Sequence, residues 1–202
     1  MDIFIFGING KMGKKLIECS KKFNIKVVGG FDITAHKTLP TFNNINSINI
    51  NFDAIVDFSR PAALPNIIAL SKKTNKNVVL ATTGYNDDEL AQIQDLSKSV
   101  AVFKSSNMSL GIAAVAKAAQ LMKLALGSGF DIEILERHHK HKVDSPSGTS
   151  LLLANAIKGS NDTIVTDRKG VRQDNHIGIG VIRGGNVIGE HEVGFYGELE
   201  DI

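Results

Sequence analysis

The sequence has little cysteine and proline and no tryptophan, and the cysteine shortage in particular excludes whole classes of site. Its 202 residues include one cysteine and four prolines. The single thiol, Cys19, excludes an internal disulfide framework and any metal site built from several cysteines. Its place in a helical pattern predicts a buried structural thiol. No run approaches the roughly 20 apolar residues of a membrane span, and the first residues lack a basic, cleavable leader. We therefore expect a cytoplasmic protein without a membrane partner.

A large net charge is missing as well. The 23 basic and 21 acidic residues leave a formal charge of +2, so nothing global favours a nucleic-acid partner. Hydrophobic residues make up 43% of the chain and charged residues 22%, values typical of a folded soluble protein. The length allows one large domain or two small ones. Any basic site must therefore be local, and small molecules are the expected partners.

The first half alternates short apolar runs with amphipathic stretches. Continuous apolar runs are typical of parallel strands that are covered on both faces, and helices between them indicate repeated βαβ units. The segment 41–51, rich in asparagine, predicts a loop. The sequence therefore predicts an α/β fold with a Rossmann-type dinucleotide-binding domain over residues 1–108. The predicted strands are 2–6, 25–31, 53–57, 77–81 and 100–103, and the predicted helices are 11–23, 61–73 and 86–97.

The pattern changes in the second half. An alanine-rich helix is predicted over 109–126, followed by strands around one further helix near 147–158. This predicts a second α+β domain over residues 109–202, carrying an open mixed sheet that we expect to be largely antiparallel. The chain stops at Ile202 in mid-pattern without a closing turn. The strands are predicted at 130–136, 163–167, 176–183 and 186–195.

A glycine-rich turn, GINGKMG over residues 7–13, follows the first strand and opens the first helix. Glycines in this position let the backbone approach a pyrophosphate, whose charge lies against the free N–H groups of the helix N-terminus. In the standard fingerprint Asn9 and Met12 would be glycines, so the motif is a variant. Asn9 is tolerable because asparagine adopts positive φ. The context predicts dinucleotide binding, with a merely structural turn as the alternative.

Other strand ends carry polar residues. Asp32 ends the second strand, 25 residues after Gly7, where a carboxylate accepts from both ribose hydroxyls and repels a 2′-phosphate. This favours NAD, although the neighbouring His36 and Lys37 are basic. Turns at 57–61, 81–84 and 105–108 follow further strands. Because ligands bind at the carboxyl ends of the strands in such sheets, we expect these turns to line the cofactor groove.

The densest chemistry lies in residues 136–149, ERHHKHKVDSPSGT. Three histidines and three cations fall within residues 137–142, an arrangement that is costly without an anion because like charges repel. Histidine can give a proton near neutrality, and lysine can fix a carboxylate. The segment 146–149 opens a helix and offers a second anion seat. The pattern predicts a site for a small dicarboxylate.

Rival interpretations of this segment are a metal site and a solvated basic loop. His138, His139 and His141 lack helical ligand spacing, and the interleaved lysines oppose a divalent cation, so we expect no metal. An inert basic loop stays open as the general alternative for a run of charge. A Gly-x-Ser-x-Gly elbow is missing, which argues against the commonest serine hydrolases.

The motifs GINGKMG, DFSRP, ATTG, SSNMSLG and ERHHKHKVDSPSGTSL together resemble those of the dihydrodipicolinate reductase family. The resemblance implies an enzyme: an NAD(P)H-dependent oxidoreductase of lysine and diaminopimelate biosynthesis that converts 4-hydroxy-tetrahydrodipicolinate to tetrahydrodipicolinate. It also implies a homotetramer assembled through the sheets of the second domain. Ile33 stands where some members place an arginine, which favours NADH over NADPH. Family members continue beyond GELEDI with a strand segment and a helix, so a C-terminal return segment is expected to be absent here.

The resemblance also implies roles for single residues. It assigns the acid–base histidine to His138 and the catalytic lysine to Lys142, and it gives His139, Gly148 and Thr149 to the substrate carboxylates. The alternative function is a truncated, non-catalytic dinucleotide-binding module. The implied cofactor contacts are Gly7, Ile8, Asn9, Gly10, Lys11, Met12, Asp32, Ala81, Thr82, Thr83, Ser105, Ser106, Asn107 and Met108.

Overall fold

The computed structural model describes all residues from 1 to 202 and divides into two compact units. The first unit is Met1–Ser105 and the second is Ser106–Ile202. The sequence places the domain boundary between 108 and 109, three residues further along the chain.

The first unit is a six-stranded sheet with helices in the connections. All its strand pairs are parallel, in the order β3-β2-β1-β4-β5-β6. The strand order reverses between β1 and β4, and in such sheets ligands bind at this point, beyond the carboxyl ends of the strands. The predicted Rossmann-type fold is confirmed. The elements are β1 (Asp2–Phe6), α1 (Lys11–Ser20), β2 (Lys26–Phe31), β3 (Thr41–Phe42), β4 (Ala54–Asp57), α2 (Leu64–Thr74), β5 (Asn77–Leu80), α3 (Asp87–Leu96) and β6 (Val102–Lys104).

Strand β1 explains why an unbroken apolar run belongs at the centre of this sheet. Phe4 and Phe6 point into one apolar cluster, with Ile55 and Leu64, while Ile5 points into a second cluster on the other face. All five side chains are completely buried. Side chains alternate between the two faces of a strand, so a strand covered on both faces must be apolar throughout.

Two predictions for this unit are wrong in detail. Thr41–Phe42, inside the segment predicted as a loop, forms the edge strand β3 and pairs with Gly30 and Phe31 of β2. A two-residue strand is too short to leave a period in the sequence, because tertiary pairing alone defines it. Cys19 is a free thiol that is partly exposed, not buried.

The second unit is a four-stranded mixed sheet in the order β10-β7-β9-β8. The mixed sheet is confirmed, but the expectation of largely antiparallel pairing is wrong. Only β10 and β7 pair antiparallel, whereas β9 pairs parallel with both β7 and β8. The long connection from β7 to β9 contains a helix, and such crossovers produce parallel pairs. The elements are α4 (Leu110–Leu126), β7 (Asp131–His138), α5 (Gly148–Ile157), β8 (Thr163–Val165), β9 (His176–Arg183) and β10 (Glu190–Tyr196).

One face of this sheet is covered by α4 and α5. Ala116 and Ala119 of α4 join the buried cluster that also contains Leu153 of α5 and Ile134 of β7. Small side chains on α4 let the two helices approach closely. The covered face therefore carries the core of the unit, and the inward residues of β7 point toward it.

One helix, Leu110–Gly129, is long and apolar enough to cross a membrane by length and composition. The prediction that no segment reaches this length is wrong by that criterion. Alanine raises the apolar content of the helix, which is interrupted by Lys117 and Lys123. Its apolar window is 11% buried, and one helix of this kind is weak evidence for a membrane span.

The last residues turn back on β10. The Phe195 N–H donates to the Ile202 carbonyl and the Ile202 N–H donates to the Phe195 carbonyl, both at 2.9 Å. The expectation that the chain stops without a turn is therefore wrong. Four residues, 197–200, make the reversal.

Candidate functional site

The glycine-rich turn of the first unit brings backbone segments very close together. Gly7 has φ +78°, in the left-handed region that favours glycine. A Cβ at Gly7 would lie 2.8 Å from the carbonyl oxygen of Phe58 on the neighbouring turn. A Cβ at Gly13 would overlap the carbonyl of Gly7. Both positions exclude a side chain, so the turn keeps an open backbone surface after β1.

The N-terminus of α1 suits an anion. Its N-cap residue, Gly10, provides no side-chain hydrogen bond, and the first turn contains no acidic residue. The first N–H groups of a helix lack partners within the helix, and they attract phosphate. The residues present therefore fit the pyrophosphate of a dinucleotide. Lys11 and Met12 are exposed beside this end, whereas the side chain of Ile8 is completely buried in the core.

Asp32 is held in place by the turn that follows β1. Its Oδ2 accepts a hydrogen bond from the Asn9 backbone N–H at 2.9 Å. The Asn9 side chain donates to the Thr34 carbonyl at 2.6 Å. Asn9 does not adopt positive φ, which in this chain is limited to Asn24 and Asn75 among the non-glycine residues. The expectation that Asn9 replaces a glycine by adopting positive φ is therefore wrong. Its side-chain amide instead binds the loop after β2.

The turn after β4 has a structural carboxylate. Asp57 is completely buried, and its oxygens accept from the Ser59 N–H and hydroxyl and, at 3.2 Å, from the Tyr85 hydroxyl. Burial raises the pKa of Tyr85, and the charge of Asp57 raises it further. Asp57 thus shapes the turn rather than offering free oxygens to a ligand. In the next predicted turn Thr82 is buried, Ala81 is partly buried and Thr83 is exposed.

In the second unit, β7 delivers two polar residues into the protein interior. Its burial alternates strictly, and Ile132, Ile134, Glu136 and His138 all point inward. The first two enter the apolar core. The last two lie at the end of the strand, where the loop to α5 begins. The alternation of a strand therefore places a carboxylate and an imidazole on the same face.

Glu136 is the centre of a buried hydrogen-bond network. Its carboxylate accepts from the Ser147 N–H at 3.0 Å and from the Ser150 hydroxyl. It also accepts from Nη2 of Arg183 at 2.9 Å. Burial pushes the pKa of Glu136 upward, but these hydrogen bonds outweigh it and lower the pKa to about 2. The group is therefore a permanent anion at neutral pH.

Two histidines pack beside this anion. The rings of His138 and His191 meet edge to face, with centroids 5.1 Å apart. Nδ1 of His138 has no hydrogen-bond partner and lies 3.8 Å from Oε1 of Glu136. Burial lowers the pKa of His138, and Lys142 and Arg183 lower it further against the opposing charge of Glu136. Burial also lowers the pKa of His191. The structure thus favours neutral imidazoles.

Lys142 lies in the loop between β7 and α5 and pairs with Asp144. Its Nζ is 2.7 and 2.8 Å from the two carboxylate oxygens. Burial alone would raise the pKa of Asp144, but Lys142 lowers it. Arg183 donates to the Asp144 carbonyl at 2.7 Å, so the loop is tied to the end of β9. His139, also in this loop, has a buried Nδ1 without a hydrogen-bond partner.

The N-terminus of α5 completes this part of the unit. Ser147 is the N-cap, and its Oγ accepts from the Ser150 N–H. Asn107 donates to the Thr149 hydroxyl at 2.9 Å, and Ser106 donates to the Gly148 carbonyl at 2.9 Å. Gly148 and Thr149 therefore lie at the helix N-terminus, as the sequence predicts. Met108 is exposed and Ser105 is partly buried.

The sequence alone did not identify three residues of this network as functional. Glu136 belongs to the predicted segment 136–149, but the sequence assigned it no role. Its alternation with Ile132 and Ile134 indicates an inward side chain. Arg183 and His191 come from the end of β9 and the start of β10. No local pattern links them to the loop, because the sheet brings them together.

The carboxylate and the two imidazoles form a possible metal-ligand group. The ligand atoms of Glu136, His138 and His191 lie within 4.8 Å of one another. However, the Glu136 oxygens already accept from Ser147, Ser150 and Arg183. A divalent cation would compete with the guanidinium for the same carboxylate. The donor set does not fit a metal ion.

Comparison with known proteins identifies the family. A sequence model described as "Dihydrodipicolinate reductase, N-terminus" matches residues 1–108, and one described as "Dihydrodipicolinate reductase, C-terminus" matches residues 108–202. The chain belongs to the dihydrodipicolinate reductase family. The 4-hydroxy-tetrahydrodipicolinate reductase of Clostridium botulinum (strain Eklund 17B / Type B) is 44% identical over 207 residues, covering 99% of this chain and 82% of that protein. The enzyme of the same name from Clostridium tetani (strain Massachusetts / E88) is 43% identical over 203 residues, with 96% and 80% covered.

Solved structures agree with this assignment. Dipicolinate-bound dihydrodipicolinate reductase from Paenisporosarcina sp. TG-14 superposes with a TM-score of 0.73 and 26% identity, covering 100% of this chain and 85% of that one. A probable dehydrogenase from Thermotoga maritima, with a TM-score of 0.68 and 13% identity over 100% of this chain and 74% of that one, shares the fold.

Membership of the dihydrodipicolinate reductase family confirms the resemblance stated above. The chain is an oxidoreductase of a family that depends on a pyridine nucleotide and serves lysine and diaminopimelate biosynthesis. The alternative of a non-catalytic dinucleotide-binding module is not favoured, because the family match continues through the second unit to Ile202.

Proposed function

We propose that this reductase converts 4-hydroxy-tetrahydrodipicolinate to tetrahydrodipicolinate with loss of water. The relatives from Clostridium botulinum and Clostridium tetani carry the name of this activity. The observation that carries the proposal is the grouping of His138, Lys142 and the α5 N-terminus around one end of β7. When bound, NAD(P)H supplies the hydride. The chain supplies charge, orientation and a proton.

The substrate carboxylates are held by the loop after β7 and by α5. Lys142 carries an ammonium on this loop, and Gly148 and Thr149 lie at the helix N-terminus, where Thr149 offers a hydroxyl. Asp144 holds this site in the free protein, because its carboxylate binds Lys142 and the Gly148 N–H, and the substrate carboxylate takes its place. His139 lies three residues before Lys142 and accepts the Lys142 backbone N–H at its carbonyl, and its unpartnered Nδ1 is suited to a polar ligand. The dipicolinate in the Paenisporosarcina protein is a dicarboxylate, and it supports a ligand of this class here.

His138 gives the proton that balances hydride addition. Its neutral form dominates in the free protein, because burial lowers its pKa and Lys142 and Arg183 lower it further. A dianionic substrate beside the ring raises that pKa, since opposite charges favour the charged form. Substrate binding therefore brings a proton to His138 at the moment it is needed.

Gly7 to Met12, Asp32, Ala81 to Thr83 and Ser105 of the first unit bind the cofactor, and Ser106, Asn107 and Met108 follow directly in the chain as further contacts. NADH is preferred over NADPH. Asp32 would repel a 2′-phosphate, and the following Ile33 is 91% exposed and offers no cation. His36 is not free to compensate, because its Nδ1 accepts from the N–H groups of Thr38 and Leu39.

The active protein is a cytoplasmic homotetramer assembled through the outer face of the second sheet. Gly180 is exposed on that face, whereas the space over Gly178 is filled by Glu133 and the space over Gly194 by the Tyr196 ring. Ile182 and Tyr196 are 46% and 41% exposed, and apolar side chains at such a surface favour association. Sedimentation analysis of the wild type and of Ile182→Lys tests this, with dissociation expected for the variant.

A calorimetric titration tests the function. NADH is titrated into the chain alone and with excess pyridine-2,6-dicarboxylate, a planar analogue of the ring substrate. We expect NADH to bind, and to bind more tightly with the dicarboxylate present, because hydride transfer needs both ligands on one chain. Reduction of 4-hydroxy-tetrahydrodipicolinate is then followed as loss of NADH absorbance. No turnover with NADH or NADPH would refute the proposal.

A further inference from the structure

A buried hydrogen-bond network surrounds Glu136 in the second unit, and the proposed reaction assigns this carboxylate no role. Glu136 is completely buried, and burying a carboxylate is expensive unless donors surround it. Ser147, Ser150 and Arg183 provide those donors from α5 and β9. The fold thus maintains an anion at a fixed place beneath the α5 N-terminus.

That anion lies between two imidazoles. Oε1 of Glu136 is 3.8 Å from Nδ1 of His138, and Oε2 is 3.9 Å from Nε2 of His191. His191 is anchored in turn, with Nε2 3.1 Å from the Ser147 hydroxyl. His138 has no such anchor at Nδ1. A small movement of the ring would complete a hydrogen bond from Nδ1 to Glu136.

The opposite edge of the His138 ring faces Gly189. A Cβ at Gly189 would lie 3.0 Å from Nε2 and 3.2 Å from Cδ2 of His138. The missing side chain therefore keeps space beside Nε2. An imidazole with Nδ1–H directed at a carboxylate presents Nε2 to its reaction partner.

We propose that Glu136 is a positioning residue of this reductase, acting through His138: its carboxylate directs Nδ1–H of the ring and stabilises the imidazolium that must form. The proposal rests on the proposed function, in which His138 gives a proton. Among the charged groups that face His138, Lys142 of the loop and Arg183 of β9 oppose protonation, whereas Asp144 and Glu136 favour it. His191 of β10 is the remaining titratable neighbour.

The same carboxylate also fixes the position of His138 relative to the N-terminus of α5. Glu136 is two residues before His138 on β7, and it binds the backbone N–H of Ser147, one residue before Gly148. Displacement of either end would separate the ring from the helix N-terminus. One side chain therefore sets both positions.

Replacement of the charge tests the proposal. For Glu136→Gln, the turnover number is expected to fall roughly tenfold near pH 7.5, and the alkaline limb of its pH profile should move about one unit lower, because the imidazolium loses its nearest anion. NADH affinity should stay within twofold. Glu136→Asp keeps the charge, so the alkaline limb of this variant should lie closer to its wild-type position than that of Glu136→Gln. The control is Glu198→Gln, an exposed carboxylate in the turn after β10, with an unchanged limb.

Arg183→Gln provides a second test should Glu136→Gln fail to fold. This variant removes a cation that opposes protonation of His138, so the alkaline limb should move to higher pH. A purely structural role predicts loss of activity without opposite shifts. An unmoved limb in Glu136→Gln, or shifts of the same sign in both variants, overturns the proposal.

A titration of ¹⁵N-labelled histidine by NMR separates this inference from the proposed function. It needs neither cofactor nor substrate. The pKa of His138 should be lower in Glu136→Gln than in the wild type, and the Nδ1–H form should lose its dominance. Equal values in the two proteins refute the role of Glu136. Absence of reductase activity in the wild type instead refutes the function.

Discussion

The side-chain amide of Asn107 donates a hydrogen bond to the hydroxyl oxygen of Thr149, with 2.9 Å between Nδ2 and Oγ1. The orientation of the amide is fixed, because Oδ1 of Asn107 accepts from the Ser109 N–H at 2.8 Å. A hydroxyl has one proton and two lone pairs. Since the Thr149 oxygen accepts from Asn107, its proton remains available to another acceptor. Under the proposed function that acceptor is a substrate carboxylate.

Removal of the Thr149 hydroxyl should weaken dicarboxylate binding. Thr149→Val is expected to raise the Kd of pyridine-2,6-dicarboxylate roughly tenfold or more, the usual effect of losing one hydrogen bond to a charged group. Thr149→Ser keeps the hydroxyl and serves as the control. If Asn107 acts through Thr149, Asn107→Ala should add little to Thr149→Val in the double variant. If the two substitutions instead raise the Kd independently, so that their factors multiply in the double variant, Asn107 does not act through Thr149.

Loss of the proposed proton donor should affect turnover much more than cofactor binding. His138→Ala is expected to lower the turnover number by roughly 10² to 10⁴, the range for removal of a general acid, and Lys142→Ala should also lower it strongly. Kd for NADH should change little in both, since the glycine-rich turn lies in the other unit. His141→Ala, an exposed histidine of the same loop, is the control. Wild-type turnover in either of the first two variants would show that the role is misassigned.

The sequence was informative about the site wherever a local period exists. Ile132, Ile134 and Glu136 alternate along β7, so an inward carboxylate two residues before His138 can be read from the pattern. Arg183 cannot be read in this way, because it lies 47 positions from Glu136. Its contact depends on the parallel pairing of β7 with β9, and the sequence pattern favoured antiparallel strands instead.

Asn9 shows a second limit. Its place in a glycine-rich motif suggested that backbone conformation explains the residue. The structure assigns the residue a side-chain role instead, with donors to the Thr34 carbonyl and hydroxyl at 2.6 and 3.0 Å. Such a contact joins two loops across β1 and β2. Motif spacing carries no information about it.

Gly189 should be sensitive to the smallest possible side chain. In Gly189→Ala the new methyl group would press on the His138 ring, with Cβ 3.0 Å from Nε2. We expect a displaced ring and a roughly tenfold lower turnover number, since small misplacements of reacting groups are costly. Gly184→Ala is the matched control in the same loop, because its Cβ would meet nothing within 4 Å. The midpoint of thermal unfolding checks that both variants fold, and equal turnover in the two would contradict the prediction.

Acid should destabilise the second unit through Glu136. Its pKa is about 2 in the folded protein against an ordinary value of 4.5. A lowered folded-state pKa stabilises the protein above pH 4.5, and this contribution of about 3 kcal/mol is lost as the pH falls from 4.5 toward 2.

The loss at Glu136 can be measured by urea unfolding, followed by the emission of Tyr196 in a Tyr85→Phe background. Between pH 6 and pH 3 the wild type should lose about 2 kcal/mol of unfolding free energy from this group. Glu136→Gln should be less stable at pH 6 but should show a flatter pH dependence, because it has no carboxylate to protonate. Glu192→Gln, which replaces an exposed carboxylate on β10, should keep the wild-type slope. An equal slope for Glu136→Gln would mean that the acid sensitivity of this unit arises from other carboxylates. The hydrogen bonds to Glu136 would then not lower its pKa to about 2.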